Sequence, residues 1–229
     1  MYPKARPHLA LPERPQKATV TTTLDYYFTA QSPWTYLGHE RFAQIARAAG
    51  AAIRVLPVDL GGRVFPISGG LPLGQRAPQR QAYRFVELQR FSDQLKAPLN
   101  LKPKYFPVSG DDAARLIIAV DLHDGTEAAM RLSGAVFRAV WAEERHIADE
   151  KTLALLLSEC GLAPARLEQS HSQAVAERYD DNTEEAIAAG VFGAPSYVVG
   201  GEIFWGQDRL DFLERKLAAL AVPSTFTAK

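Results

Sequence analysis

Cysteine is nearly absent from this chain. Its 229 residues hold one, Cys160, so an internal disulfide, a CxxC redox pair and a cysteine-based zinc site are all excluded. A lone thiol fits a reducing compartment. The five histidines (8, 39, 123, 146 and 171) are scattered and form no metal-binding spacing such as HxxxH, so no metal is expected. Excess charge of either sign is also missing. Lys+Arg and Asp+Glu are both 26, a balance that argues against nucleic acid or an anionic membrane as partner. No run reaches the roughly 18 consecutive apolar residues that read as a membrane span. The N-terminal stretch "MYPKARPHLALPERPQKATVTTT" is Pro-rich and basic and lacks the apolar region of a secretory signal. Residues 1–20 therefore read as a flexible arm, and the expected location is cytoplasmic.

What the chain does have is apolar content, 47% of residues. That suffices for one large domain or a small domain with a large insertion. Residues 22–28 read as a strand. Leu37, Phe42, Ile45 and Ala49 keep helical spacing over 34–49, and Gly50 closes that helix. "AIRVLPVDL" reads as a second strand, parallel to the first because a helix separates them. "GGRVFPISGGLPLGQRAP" is too rich in Gly and Pro for sustained regular structure and reads as a functional loop. "RQAYRFVELQRFSDQL" is an amphipathic helix, and "LNLKPKYFP" is extended.

From Asp111 to about Ala189 the pattern is helical. Candidate starts are Asp111-Asp112, Gly125-Thr126, Asp149 and Pro164. "APSYVVGGEIFWG" is a hairpin turning at Gly200-Gly201. "QDRLDFLERKLAAL" is a last helix, with Leu210, Leu213, Leu217 and Leu220 on one face. The layout is β-α-β over 21–75, an all-helical insertion over 76–189, and β-β-α over 190–222.

Two junctions carry chemistry. In "SPWTY" a strand runs into a helix through Ser32-Pro33. Ser32 suits the cap position and Pro33 the first turn. A helix start also presents free N–H groups and the positive end of a dipole, which attract anions, thiolates included. Ser32 is thus either a plain N-cap or a donor to a bound anion. In "GVFGAPSYVVGGEIFWGQDRL" Pro195 precedes a strand and is either an ordinary trans proline or a cis one. Gln207 and Asp208 stand at another helix start, as caps or as ligand contacts. Cys160 reads as a buried core thiol. Trp34, Tyr36, Trp141 and Trp205 read as core aromatics, although Trp34 beside Ser32 equally suits a substrate wall. Lys102 and Lys104 read as solvated charges.

Taken together, "SPWTYLGHE" and "GVFGAPSYVVGGEIFWGQDRLDFLE" resemble the 2-hydroxychromene-2-carboxylate isomerases and the related kappa-class glutathione transferases, over residues 22–220. The resemblance implies an α/β, thioredoxin-like fold with the DsbA-like helical insertion, and glutathione as cofactor. It places Ser32 where the family's serine stabilises the glutathione thiolate, a position at which redox relatives keep cysteine. It puts Pro195 at the cis-proline position, with the Ala194 backbone pairing with the cysteinyl part of glutathione. Gln207 and Asp208 then match the pair that holds the γ-glutamyl end. Arg80 falls near the lysine that contacts the glycyl carboxylate, and Trp34 and Tyr83 are the expected substrate-facing aromatics. One departure stands out: the family's loop often carries Gly-Asn-Pro-Pro, whereas this chain has Gly69-Gly70 and no Asn.

The expected activity is glutathione-dependent cis–trans isomerisation of 2-hydroxychromene-2-carboxylate or a similar aromatic-catabolism intermediate, in a homodimer. The alternatives are irreversible conjugation of glutathione to an electrophile and a non-catalytic binding module.

Overall fold

A computed structural model describes residues 21–221. The arm expected over 1–20 and residue 222 lie outside the described residues. A four-stranded sheet has the order β2-β1-β3-β4. Its strands are β1 (Thr23–Phe28), β2 (Ala52–Pro57), β3 (Ser196–Val199) and β4 (Glu202–Trp205). β1 and β2 are parallel, with Tyr26 opposite Val55, and the two remaining pairings are antiparallel. This is the thioredoxin arrangement. β1 is central because its sequence is apolar toward both sides. Leu24, Tyr26 and Phe28 enter one core cluster, while Tyr27 enters a second with Leu56, Val58 and Val198.

α1 (Pro33–Ala48) makes the parallel crossover from β1 to β2. It ends where Gly50 takes a left-handed φ of 61°. The Gly50 N–H then bonds Arg47 O and the Ala51 N–H bonds Ala46 O, which satisfies the last free carbonyls of the helix. The hairpin between β3 and β4 turns on Gly200 and Gly201, both at positive φ (58° and 80°), as a tight two-residue turn requires.

The Gly/Pro-rich loop holds only single turns: a π-type turn over Leu60–Val64, α2 (Phe65–Ser68) and a 3₁₀ turn over Leu73–Gln75. α3 (Pro78–Leu95) follows. α4 (Asp111–Asp124) and α5 (Thr126–Trp141) form the most buried helix pair. Leu116, Ile117 and Val120 of α4 and Val136, Phe137 and Trp141 of α5 share one core with Tyr26 and Phe28 of the sheet. α6 (Glu150–Glu159), α7 (Ala165–Gln169) and α8 (Gln173–Ala188) complete the helical part, and α9 (Leu210–Ala221) closes the chain.

Four expectations are corrected. Asp111 and Asp112 do not cap α4; Gly110 does, and the two carboxylates lie in the first turn, where they complement the helix dipole. The segment after Pro164 is two helices, because Ser172 caps α8 anew by accepting the Val175 N–H at 3.4 Å. Leu220 leaves the apolar face of α9 and is half exposed, whereas Leu210, Leu213 and Leu217 are buried. Cys160 is only partly buried, packed against the main core, and burial raises its thiol pKa.

Candidate active site

The turn Thr29–Gln31 reverses the chain after β1, and the Ser32 N–H closes it on Thr29 O at 3.1 Å. Ser32 is then the N-cap of α1, its Oγ accepting the Thr35 N–H at 3.2 Å. That bond uses a lone pair of the oxygen. The hydroxyl hydrogen finds no acceptor among the described residues, so capping and donating to a ligand are compatible duties. Pro33 has no N–H, and the first-turn Trp34 N–H is one that helix geometry leaves unpaired.

The opening above this junction is a cleft of about 660 Å³. Its walls come from five places: the 29–34 junction, the loop from Leu60 to Ala77, the N-terminal half of α3, Phe106, and the segment Phe192–Ala194 with Trp205. Ala194 lines the cleft, and its N–H and C=O make no backbone hydrogen bond among the described residues. The Ala194–Pro195 peptide bond is cis. Trp205, expected in the core, is half exposed instead and packs edge to face with Phe192 at 4.8 Å on the rim. Gly193 lies beneath that indole; a Cβ there would come within 2.2 Å of the Trp205 ring nitrogen, so the close approach requires glycine.

The cleft brings together Ser32, Trp34, Arg80 and Ala194. Tyr83 lines an adjoining recess shared with Trp34 and Arg80, and is half exposed. Trp34 stands between the two and packs at right angles to Phe91, 6.1 Å away. Pro195, Gln207 and Asp208 are not among the residues lining the cleft. Gln207 is buried behind α1, with its amide nitrogen unpaired. Asp208 pairs with Arg209 at 2.6 Å. Gly206, at φ 99°, caps this turn in their place. Lys102 and Lys104 lie over Phe85 and Tyr105 rather than in the cleft.

Reading the sequence missed two lining residues of consequence, Arg76 and Arg84. With Arg80 they line the cleft at intervals of four, and among the described residues no Asp or Glu lines it with them. The signal was present: between Asp59 and Glu87 the chain carries four arginines and no acid. Arg63 is paired with Asp180 and Glu184, while Arg76, Arg80 and Arg84 form no salt bridge among the described residues. Burial, and then the neighbouring Arg76, pull the Arg84 pKa down to about 10. Burial and Arg80 lower that of Arg76. Such an all-cationic, aromatic-walled cleft favours an organic anion.

A DSBA-like thioredoxin domain model matches residues 23–218. A 2-hydroxychromene-2-carboxylate isomerase from Pseudomonas putida is 32% identical over 199 residues, covering 86% of this chain and 95% of that protein. Glutathione S-transferase kappa 1 from Caenorhabditis elegans is 24% identical, covering 83% and 88%. Among solved structures, a 2-hydroxychromene-2-carboxylate isomerase superposes with a TM-score of 0.72 at 32% identity, covering 86% of this chain and 95% of that one. A cytosolic disulfide reductase, DsbM from Pseudomonas aeruginosa, solved with GSH, shares the fold at a TM-score of 0.61 and 19% identity, covering 86% and 99%.

Proposed function

Because the chain belongs to the 2-hydroxychromene-2-carboxylate isomerase family of DsbA-like thioredoxin domains, we propose that it isomerises 2-hydroxychromene-2-carboxylate, or a similar intermediate of aromatic catabolism, with glutathione as cofactor. One observation carries this reading. A serine with a free hydroxyl hydrogen sits at a helix N-terminus in an aromatic-walled cleft whose charged lining is arginine alone.

The residues present fit glutathione. Ser32 has a donor to spare for a sulfur anion, the Ala194 main chain is open for strand-like pairing, and Arg80 is free to take a carboxylate. The chemistry glutathione supplies when bound is reversible sulfur addition to a conjugated C=C, which permits the cis–trans change. The protein's share follows from its own groups. Ser32 Oγ–H and the N-terminus of α1 favour the charged sulfur over the neutral thiol and so lower its pKa. Ala194 and Arg80 orient the tripeptide, and Trp34 bounds the space left for the aromatic substrate. In this reading Asp208, exposed in the Gln207–Arg209 turn, meets the γ-glutamyl end, and Gln207, buried behind α1, holds that turn in place. A homodimer and a cytoplasmic setting belong to the same reading; the lone thiol Cys160 suits a reducing compartment, where glutathione is itself kept reduced.

The test is turnover of the chromene carboxylate with and without added glutathione. Isomer formed only in its presence supports the reading; equal rates in both mixtures overturn it. The kappa-class relative keeps a second reading open, conjugation of glutathione to an electrophile. A stable thioether product would reveal it.

A further inference from the structure

Arg84 is the deepest cation of the cleft. Its side chain is 9% exposed, and its guanidinium has no hydrogen-bond or ion-pair partner among the described residues. Its nearest company is aromatic. The guanidinium carbon lies 5.4 Å from the Phe106 ring, 5.6 Å from Trp141 and 5.8 Å from Phe85. Among the described residues, the charged groups it shares the cleft with are Arg76 and Arg80, of the same sign. A largely buried cation costs folding free energy, and within the described chain only the three aromatic faces offset it. Aromatic faces hold the group in place but leave its N–H donors open toward the cleft.

Arg80 and Arg84 sit one helical turn apart, but differently. Arg80 is exposed at the mouth, and Arg84 is buried beside Phe106, itself a lining residue. An exposed arginine suits the hydrophilic end of a peptide. An arginine largely buried against an aromatic wall suits an aromatic acid, the carboxylate on the guanidinium and the ring on Phe106.

We infer that Arg84 is the acceptor-anchoring residue of the cleft: it binds the carboxylate of an aromatic acid, with Arg76 beside it, at a subsite separate from that of glutathione. The inference rests on the proposed function for the meaning of "acceptor", but its binding site stands or falls alone. The charges also balance. A bound glutathione thiolate carries a net charge of about −2, one acceptor carboxylate adds −1, and the three arginines oppose both. The subsite should discriminate against neutral analogues, because a ligand that covers the guanidinium without pairing its charge is penalised.

The experiment uses the full chain with chromone-2-carboxylate and its neutral isostere chromone-2-carboxamide, titrated by calorimetry without glutathione. Glutathione is titrated separately. The wild type should bind the acid about tenfold or more tightly than the amide. Arg84→Gln should erase that preference while leaving glutathione affinity within about twofold. Arg84→Lys keeps the charge but loses the planar fork, so it should recover part of the preference. Arg84→Met should melt at the same temperature as the wild type or higher, since it removes an unpaired buried charge; a lowered melting temperature with the acid preference intact would make Arg84 a structural residue and overturn the proposal. Equal binding of acid and amide by the wild type overturns it too. So does a loss of glutathione affinity in Arg84→Gln with the acid unaffected, which would assign Arg84 to the tripeptide. Acid preference without any glutathione binding would uphold the subsite and sink the glutathione reading.

Discussion

The proposed function gives Ser32 two roles in one hydroxyl, cap and donor, and one substitution with two readouts tells them apart. Ser32→Ala removes the acceptor of the Thr35 N–H and should cost roughly 0.5–2 kcal/mol of stability, read by thermal unfolding. If the proposed function holds, it also removes a donor to the bound sulfur anion, worth roughly 1.5–3 kcal/mol, or about one to two pKa units. The ultraviolet thiolate band of the glutathione complex should therefore titrate at higher pH in the variant; an unchanged titration would leave Ser32 a cap only. His39, one residue beyond Gly38 in the same helix, predicts a different pH effect. It is 4% exposed, donates from Nε2 to Met130 O at 3.0 Å and accepts the Tyr26 hydroxyl at Nδ1, 3.2 Å. Burial pulls its pKa from 6.5 down to about 4. The unfolded chain therefore binds a proton that the folded chain refuses between those values. The stability His39 confers is complete above about pH 6.5 and falls by about 1.4 kcal/mol per unit toward pH 4. Chemical unfolding of wild type and His39→Gln across this range should show the extra slope in the wild type alone; parallel curves would contradict it.

At the scale of elements, α1 is the piece on which the site depends, and one glycine sets its seat. A Cβ on Gly38 would stand 2.8 Å from both Gln207 Cβ and Tyr197 Oη, closer than real contacts allow. Gly38→Ala gains up to about 1 kcal/mol of helix propensity but forces α1 away from the Gln207–Arg209 turn. Overpacking of this kind costs roughly 1–3 kcal/mol, so the variant should melt lower. A higher melting temperature would show that the turn yields. The strand-to-helix switch at Ser32-Pro33 was legible in the sequence because cap, proline and apolar period agree there. The hairpin was legible because two adjacent glycines name their own turn. α3 was legible as a helix but not as a wall of the cleft. A row of arginines every fourth residue looks like a solvated face until the fold shows Arg84 turned inward between Phe106 and Trp141.

For the molecule as a whole, the sheet order and the central place of β1 follow from the run Leu24–Phe28, apolar toward both faces. The path of the loop from Leu60 to Ala77 does not. Its glycines and prolines set single turns, but which side of the cleft those turns cover depends on contacts far along the chain, such as Arg63 with Asp180 and Glu184 of α8. The same distance hid the cleft's charge, since Ser32, Arg84 and Ala194 meet only after the whole chain has folded. On the proposed function, they hold the sulfur nucleophile at one end of the site and anchor an aromatic acid at the other. Such a site should turn over its substrate without using up its cofactor. The direct measurement is a reaction with chromene carboxylate in hundredfold excess over glutathione, followed by mass spectrometry of substrate, product and thiol. Complete conversion to the free trans isomer with all glutathione recovered is the predicted result. Conversion that stops after one equivalent, with glutathione carried off in a thioether, would contradict it.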